Sequence, residues 1–289
     1  MNNNIKGLCL AFTAMLGSGI FAIPYRLSLE KADPLTVVLG IFIWALLFSL
    51  PGAWFSRKKM KYSLKIGWVT LAISLSGLIA NYSVCIAVLK DSPTLFNLVS
   101  KSEILMAIIL SWIFLKEMIS VRVWISLIFV IAGILVMKLD SISFEFSYFS
   151  SSLWALMAAF GFALMAVLAK SIIHEIDPQV LNIFRLLVAI IVLFGFEEVR
   201  IGIFNLKKEE WIYLAFAAFC GPFLGRISYN YSLRYLTISK SVIIGSFSPV
   251  ITLLLELIVF GSIISWIEAL GGFILLSGII WLLLPKIKK

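Results

Sequence analysis

The sequence is poor in charge, cysteine and histidine. Only 13% of its 289 residues are charged, whereas 62% are hydrophobic. Average soluble domains are roughly half apolar and about one quarter charged. This composition excludes a soluble enzyme, an intrinsically disordered protein and a secreted disulfide-rich module.

The few cysteines and the single histidine form no recognisable metal or disulfide pattern. Cys9, Cys85 and Cys220 all fall within apolar stretches, and no CxxC pair occurs. Such spacing predicts neither a disulfide framework nor a zinc site. His174 is the only histidine, which argues against a histidine-ligated metal centre. We therefore expect no metal and no cofactor.

Long hydrophobic runs are what the sequence does contain. Blocks of about 20 apolar residues alternate with short charged segments, a pattern typical of helical membrane proteins, since a bilayer core takes roughly 20 helical residues per crossing. We predict an all-α membrane protein with ten transmembrane helices in a lipid bilayer. The predicted spans are 7–29, 34–55, 66–88, 93–115, 119–138, 152–173, 178–197, 210–233, 238–260 and 265–284.

The first predicted span has one alternative. Lys6 followed by an apolar run is also compatible with a signal peptide. The run extends from Gly7 to about Leu29 and lacks a clear small-x-small cleavage site. Its length therefore favours a transmembrane helix.

The net charge of +9 is explained by membrane topology. Nucleic-acid binders gather Lys and Arg on one polar face, whereas here they lie in loops beside apolar spans, so we expect no nucleic-acid partner. With the N-terminus inside, the cytoplasmic segments hold fourteen Lys and Arg and the outer loops hold six. The positive-inside rule then predicts that both termini are cytoplasmic, and we expect the protein in the cell inner (plasma) membrane.

The two halves of the chain resemble each other. A glycine and an Asp-Pro pair recur at an offset of 144 residues, as Gly17 and Asp33-Pro34 in the first half and as Gly161 and Asp177-Pro178 in the second. We divide the chain into repeats at 1–140 and 150–289, each with five spans. Because five is odd, the second repeat enters the membrane in the opposite direction, and inverted repeats are a feature of secondary transporters.

On these features the sequence resembles the drug/metabolite transporter superfamily, specifically its EamA-type members, over nearly the whole chain. The family pattern has an early glycine in the first helix of each repeat, as both halves have here. It also has an arginine seven residues after a proline in the second helix. Pro178 and Arg185 match this spacing, whereas Pro34 is followed by Ile41.

A further element of the family pattern is divided between the repeats. The family has a mid-helix proline in the fourth helix and a Gly-Glu pair thirteen residues later. Repeat two keeps Pro249 and Gly261 but has Ser262 in place of the glutamate. Repeat one keeps Glu117 and has Lys116 in place of the glycine. The resemblance implies a ten-helix permease with a central cavity lined largely by helices 1, 3, 4, 6, 8 and 9.

Polar side chains inside the spans are the candidate substrate-binding residues. A charge at the bilayer centre costs about 2.5–3.5 kcal/mol on insertion scales, so such residues usually face protein or water. The candidates are Asn81, Asn97, Lys101, Glu103, Arg226, Tyr229, Asn230 and Glu256. We expect span 4 to turn Lys101 or Glu103 toward a central cavity opposite span 8.

Helix periodicity supports a shared face in span 8. The residues of this face are Arg226, Tyr229 and Asn230, which follow i, i+3, i+4 spacing. Asn81 in span 3 occupies the position in the first repeat that corresponds to Arg226. An alternative is that the Arg226 side chain extends along the helix and places its guanidinium in water at the membrane surface. Arg185, which matches the family pattern, is open to a purely structural role.

The leading functional hypothesis is a secondary transporter that works by alternating access. Basic and acidic groups in one cavity suit a small polar or amphipathic metabolite, such as an amino acid or a derivative. Protons are a candidate coupling ion, because burial favours the protonated form of a carboxyl such as Glu103. Lys101 nearby would instead keep Glu103 ionised, and the sequence leaves both possibilities open.

Two alternatives belong to other functional classes. An intramembrane enzyme needs a nucleophile–base pair or a metal, and no GxSxG, HExxH or paired-aspartate motif occurs. We therefore expect no enzymatic activity. The other alternative is a membrane assembly subunit without transport activity. That function would not explain why the chain keeps several charges inside the membrane, where they are costly.

Overall fold

A computed structural model of the chain describes residues 3–29, 32–56, 63–90, 102–137, 149–260 and 265–283. Within these ranges the fold is all-helical, with thirteen α-helices and one π-helical segment, Phe219–Gly225. The α-helices are α1 (Asn3–Leu29), α2 (Pro34–Ser56), α3 (Leu64–Lys90), α4 (Ser102–Leu115), α5 (Val121–Met137), α6 (Phe149–Ile172), α7 (Pro178–Phe194), α8 (Glu197–Phe204), α9 (Lys208–Ala218), α10 (Arg226–Ser232), α11 (Ile238–Gly245), α12 (Ser248–Phe260) and α13 (Trp266–Leu283).

Asp-Pro pairs begin one helix in each half of the chain. Pro34 and Pro178 are the first residues of α2 and α7. The preceding aspartates accept a hydrogen bond from the backbone N–H two residues on, at 3.1 Å for Asp33 and 3.0 Å for Asp177. Aspartate caps free N–H groups at a helix start, and proline fits there because its missing N–H would be unpaired. The spans predicted at 34–55 and 178–197 therefore begin at the predicted residues.

Six helical segments in the described residues are long and apolar enough to cross a bilayer. They are Asn3–Leu29, Pro34–Gly52, Leu64–Val84, Leu153–Ile172, Lys208–Ser232 and Ile238–Val259. A seventh is obtained when α7 and α8 are taken as one span bent by 103°. Shorter apolar stretches lie in α4, α5 and α13. The described residues thus contain about six clear spans and several shorter apolar helices.

Two predicted spans are interrupted in the structure. The span predicted at 178–197 ends as a straight helix at Phe194, and two glutamates favour a new helix start at α8. The span predicted at 238–260 divides after Gly245. Pro249 has no N–H to donate to the carbonyl of Gly245, so a continuous α-helix would lose that bond. Residues 93–101 of the predicted fourth span lie outside the described residues.

Helices from the two halves pack in antiparallel pairs. In α7, the residues Gln179, Asn182 and Arg185 have as neighbours, in that order, Gly52, Ser49 and Phe42 of α2. Residue numbers rise along one helix as they fall along the other, so α2 and α7 run antiparallel. The other main pairs between the halves join α3 to α6, α5 to α13, α4 to α6, and α1 to α9 and α10.

A close contact between a glycine and a backbone carbonyl oxygen occurs in two of these helix pairs. A Cβ atom added to Gly161 of α6 would lie 3.0 Å from the carbonyl oxygen of Ser76 in α3. A Cβ atom added to Gly17 of α1 would lie 2.5 Å from the carbonyl oxygen of Cys220. Gly17 and Ser76 are each 144 residues from their counterparts Gly161 and Cys220. The same close helix contact is therefore made by equivalent residues of the two halves.

The π-helical segment adds one residue to this contact. Gly161 also meets Ala80, four residues after Ser76, whereas Gly17 meets Gly225, five residues after Cys220. A π-helical turn spans i to i+5 and so accommodates an extra residue compared with an α-helical turn. Pro222 lies inside this segment, where its missing N–H removes one α-helical bond.

Large apolar side chains occupy both the interior and the surface of the bundle. Leu186 of α7 and Leu39 of α2 are fully buried in one cluster, and Ile108 of α4 and Ile173 are fully buried in another. Many large apolar side chains are nevertheless exposed, such as Ile258 at 75%. An apolar surface of this extent fits a bilayer environment, because soluble proteins seldom expose large contiguous apolar patches.

Candidate functional site

A charged cluster lies where α4, α6 and α10 meet. Arg226 is the first residue of α10, directly after the π-helical segment. Its guanidinium carbon lies 5.8 Å from the ring centres of Phe162 in α6 and Tyr229 in α10. Glu103, in the first turn of α4, acts electrostatically on both Arg226 and Tyr229. The side chains of Glu103, Arg226 and Tyr229 are each partly exposed.

Arg185 of α7 extends this cluster toward α2. Its side chain is 5% exposed and lies within electrostatic range of Arg226. One terminal nitrogen, Nη2, donates a hydrogen bond of 3.0 Å to Asn182 Oδ1. The guanidinium carbon lies 5.6 Å from the ring centre of Phe42 in α2. We call Glu103, Arg185, Arg226 and Tyr229 the central charged cluster.

A short chain of hydrogen bonds anchors Arg185. Asn182, which accepts from Arg185, donates its Nδ2 hydrogens to Ser49 Oγ at 3.1 Å and to the carbonyl oxygen of Pro222 at 3.2 Å. Asn182 and Ser49 are fully buried. The bonds tie α2, α7 and the π-helical segment together, so Arg185 is held by elements from both halves of the chain.

Of the remaining predicted site residues, the structure describes the side chains of Asn81 and Asn230 only. Asn81 is half-buried, and its Nδ2 donates 2.7 Å to the carbonyl oxygen of Gly77 in its own helix. Asn230 is 5% exposed. Asn97 and Lys101 lie outside the described residues, and Glu256 belongs to α12 with an undescribed side chain.

A second polar network lies at one end of the bundle. Arg234, just after α10, donates through Nε to the carbonyl oxygen of Ile173 and through Nη2 to that of Ile176, both at 3.0 Å. The same Nη2 lies 3.8 Å from a carboxylate oxygen of Asp177. The Tyr231 hydroxyl donates a hydrogen bond of 3.0 Å to that carboxylate. Arg234 therefore holds backbone carbonyls left free where α6 ends.

Two more side chains join the same network from the other direction. Lys170, in the last turn of α6, donates to the carbonyl oxygen of Leu236 at 2.6 Å and to that of Leu233. Glu117, just after α4, accepts a hydrogen bond of 3.0 Å from the N–H of Ile238, where α11 begins. Three interhelix connections are thereby joined. We call Glu117, Lys170, Asp177, Tyr231 and Arg234 the polar latch.

Burial and three weaker influences determine the pKa of the Glu117 carboxyl. Burial raises the pKa of the Glu117 carboxyl above its ordinary value. The hydrogen bond from Ile238, the charge of Lys170 and a hydrogen bond from Ser111 act in the opposite direction. The preceding residue, Lys116, has a positive φ of 53°. This is the left-handed region favoured by glycine at a helix C-terminus, and Lys116 occupies the glycine position of the family pattern.

The opposite end of the bundle lacks an equivalent of this network among the described residues. Asp33, the counterpart of Asp177, caps its own helix and lines a cavity of about 310 Å³ with Thr36, Asn205, Lys207 and other residues of α8 and α9. The α1–α2 and α6–α7 connections lie at opposite ends, because α2 and α7 run antiparallel. Among the described residues, the polar network therefore lies at the end of the α6–α7 connection, and this cavity lies at the end of the α1–α2 connection.

Sequence reasoning did not identify the polar latch. In the sequence, Lys170 and Arg234 belong to the fourteen lysines and arginines assigned to the cytoplasmic side, and Asp177 belongs to the repeated Asp-Pro pair. Glu117 matched a family position to which no role had been assigned. The available signal was the recurrence of Asp177 as Asp33, since a repeated polar residue at a helix start can bind a partner besides its own helix.

The geometry does not offer a metal site within the described ranges, where no group of three or more His, Cys, Asp or Glu side chains could hold an ion. The EamA-like transporter family matches the sequence twice, over residues 5–139 and 149–284. The chain belongs to the EamA-like transporter family. This confirms the resemblance seen in the sequence and indicates a multi-pass membrane transporter of small molecules.

Comparison with individual proteins adds the fold. No curated protein matches the chain. A solved structure described as "Crystal structure of protein" has a TM-score of 0.79 and covers 96% of both chains at 15% sequence identity. At this identity the likeness shows a shared fold alone.

Proposed function

We propose that the protein is a secondary transporter of a small polar or amphipathic metabolite, such as an amino acid or a derivative, and that it works by alternating access. The observation that carries this proposal is the central charged cluster. Its members come from α4, α7 and α10, which belong to both halves of the chain. Secondary transporters bind their substrates at the interface between repeats.

The ten-helix topology is part of this proposal. The shorter apolar helices α4, α5 and α13, the bent pair α7–α8 and the six clear spans together give ten crossings. Equivalent contacts at Gly17 and Gly161, and the antiparallel pairing of α2 with α7, support two inverted five-helix repeats. The lysine and arginine distribution supports cytoplasmic termini in the inner membrane.

In this mechanism the polar latch acts as the gate on the cytoplasmic side. The bond between Ile238 and Glu117 crosses between the two halves, whereas the other hydrogen bonds of the latch join helix ends within the second half. Breaking the Glu117–Ile238 bond would let the halves rock about the central cluster, as alternating access requires. In this proposal the structure corresponds to a state closed at the cytoplasmic end.

The substrate site that we propose combines charges of both signs. Glu103 would bind a cationic group, whereas Arg226 and Tyr229 would bind an anionic or polar group. Asn81, Asn97, Lys101, Asn230 and Glu256 complete the proposed lining. Proton coupling through Glu103 belongs to the same proposal, since protonation would remove one of the charges that the substrate contacts.

Flux measurements on purified protein in proteoliposomes test this function. Wild-type vesicles should show saturable uptake and exchange of at least one amino acid or derivative. Vesicles that contain Arg226→Gln should not, whereas Lys208→Gln on the exposed start of α9 should transport normally. Equal background flux with the wild type, Arg226→Gln and protein-free vesicles across the panel would instead favour an assembly role without transport.

A further inference from the structure

Arg185 is a buried cation with no acidic partner among the described residues. Its only hydrogen bond there is to the neutral side chain of Asn182. The charge that acts on it is that of Arg226, which has the same sign. Glu103 acts on Arg226. Arg226 thus has a carboxylate within electrostatic range, whereas Arg185 has none among the described residues, and a buried charge is costly unless it is paired.

Two hydrogen-bond donors in this region are also unused. Arg185 Nε and the Tyr229 hydroxyl are buried, and neither has a hydrogen-bond partner among the described residues. Buried polar atoms are nearly always hydrogen-bonded, so each exception calls for an explanation. Both donors belong to residues on which Arg226 acts electrostatically. The region therefore offers unused donors beside an excess of positive charge.

A carboxylate satisfies both requirements at once. It supplies the missing negative charge, and its two oxygens accept several hydrogen bonds from a guanidinium fork and a hydroxyl. Arginine is the preferred side chain for such planar, bidentate binding. Phe42 contacts the Arg185 guanidinium and leaves its Nε edge without an acceptor.

We propose that Arg185, Arg226 and Tyr229 form a subsite for the carboxylate group of the transported solute. The proposal rests on the transport function inferred above and narrows the substrate class to organic carboxylates, including zwitterions. Glu103, which acts electrostatically on Arg226 and Tyr229, would bind an ammonium group where the solute has one. Arg185 then has a role in substrate recognition in addition to joining α7 to α2.

Thermal unfolding of the purified protein with matched probes tests the subsite without measuring transport, because a ligand stabilises the state that it binds. The probes share one aromatic skeleton: phenylacetate, phenylalanine and phenethylamine, each at the same ionic strength. We expect the two carboxylates to raise the unfolding temperature of the wild type and phenethylamine to leave it unchanged. Stabilisation by phenylalanine but not phenylacetate would assign the subsite to zwitterions, within the proposed class.

Variants of the chain provide the controls. Tyr229→Phe removes only the unused hydroxyl and should weaken carboxylate binding at least tenfold, and Arg185→Gln should abolish it. Arg185→Lys keeps the charge without the fork and should bind weakly, which covers the case in which Arg185→Gln does not fold. Arg200→Gln, on the exposed surface of α8, should bind as the wild type does.

Three results would overturn the subsite. One is equal stabilisation of the wild type by phenethylamine and phenylacetate. Another is unchanged carboxylate binding in Arg185→Gln and Tyr229→Phe, and the third is no stabilisation of the wild type by either carboxylate. Flux of an amine that has no carboxyl group would leave the transport function standing while the subsite fails. Carboxylate binding without any flux would support the subsite and contradict transport.

Discussion

Gly17 of α1 lies so close to Cys220 that a Cβ atom on the glycine would be 2.5 Å from the cysteine carbonyl oxygen. This separation is shorter than any normal contact, so only glycine fits without a backbone shift. Gly161 makes the equivalent contact with Ser76 in the other half. Two helix pairs, one for each first helix of a repeat, therefore depend on a missing side chain.

Replacing either glycine by alanine should destabilise the fold. Overpacking a close contact costs about 1–3 kcal/mol, so Gly17→Ala and Gly161→Ala should each lower the unfolding temperature of the purified protein. Gly67→Ala is the matched control, because a Cβ atom at Gly67 of α3 meets nothing within 4 Å. It should be neutral or slightly stabilising, since alanine favours helix by up to about 1 kcal/mol. An equal effect at all three positions would contradict the close packing.

Lys116 offers a stabilising substitution. Its φ of 53° lies in the left-handed region, which costs a non-glycine residue about 1–2 kcal/mol. Lys116→Gly removes this strain and should raise the unfolding temperature, whereas Lys116→Ala should not. A lower unfolding temperature in Lys116→Gly than in Lys116→Ala would contradict a left-handed backbone at this position.

The Tyr231 hydroxyl should contribute measurably to the polar latch. It donates to the Asp177 carboxylate at 3.0 Å, and hydrogen bonds to charged groups contribute about 1.5–3 kcal/mol. Tyr231→Phe should lower the unfolding temperature and increase labelling of a cysteine placed at Ser239. The control is Tyr235→Phe, which alters an exposed ring. Labelling that rises equally in both variants would exclude a specific role for the Tyr231–Asp177 bond.

The raised pKa of Glu117 should make the free energy of unfolding depend on pH. Burial raises the folded pKa of this carboxyl above its ordinary value of 4.5, so the folded protein binds the proton more tightly than the unfolded chain does. The resulting stability is fully present below the unfolded pKa and is lost as the pH rises through the folded pKa. Glu117→Gln cannot titrate, so the unfolding temperature of the wild type relative to this variant should fall across that window.

Thermal unfolding from about pH 4 to about pH 8 measures this difference. Glu209→Gln, which removes an exposed carboxylate from α9, serves as the control and should follow the wild type. If the wild type instead gains stability over Glu117→Gln as the pH rises, the charge of Lys170 outweighs burial, and the pKa of Glu117 is lowered rather than raised.

Sequence and structure agree most where local chemistry decides. The Asp33-Pro34 and Asp177-Pro178 pairs begin helices as predicted, because capping and the missing proline N–H act over a few residues. The extra residue between Cys220 and Gly225 was not predictable. The residues from Phe219 to Gly225 are apolar or small throughout, so the sequence does not mark where a π-helical turn adds a residue. The extra residue is recognised only from the contacts of Gly17 with Cys220 and Gly225.

The candidate site shows the same division. Hydrophobic context marked Glu103 and Arg226 as unusual, and the structure brings them together with Tyr229. The importance of Arg185 depends on the lack of an acidic neighbour among the described residues, which spacing along the chain does not reveal. The polar latch depends on backbone carbonyl oxygens, such as that of Leu236, as acceptors. Because every residue type has this group, no residue pattern marks these acceptors in the sequence.

Glu103 and Lys101 can be tested together for transport. Glu103→Gln and Lys101→Ala should each abolish flux while leaving membrane insertion intact, because removing a charge makes insertion easier. Membrane content and flux should be measured on the same preparations. Wild-type flux in both variants across pH would mean that these residues only pack between helices.

Flux through a protein whose polar latch is cross-linked tests alternating access most directly. Cysteines at Glu117 and Ser239, in a background without the three native cysteines, would be joined by a cleavable cross-linker and assayed in proteoliposomes with a transported metabolite. We expect flux to stop on cross-linking and to return, on cleavage, to the level of the same double-cysteine protein before cross-linking. Undiminished flux through the fully cross-linked protein would contradict a mechanism in which this end of the bundle opens in every transport cycle.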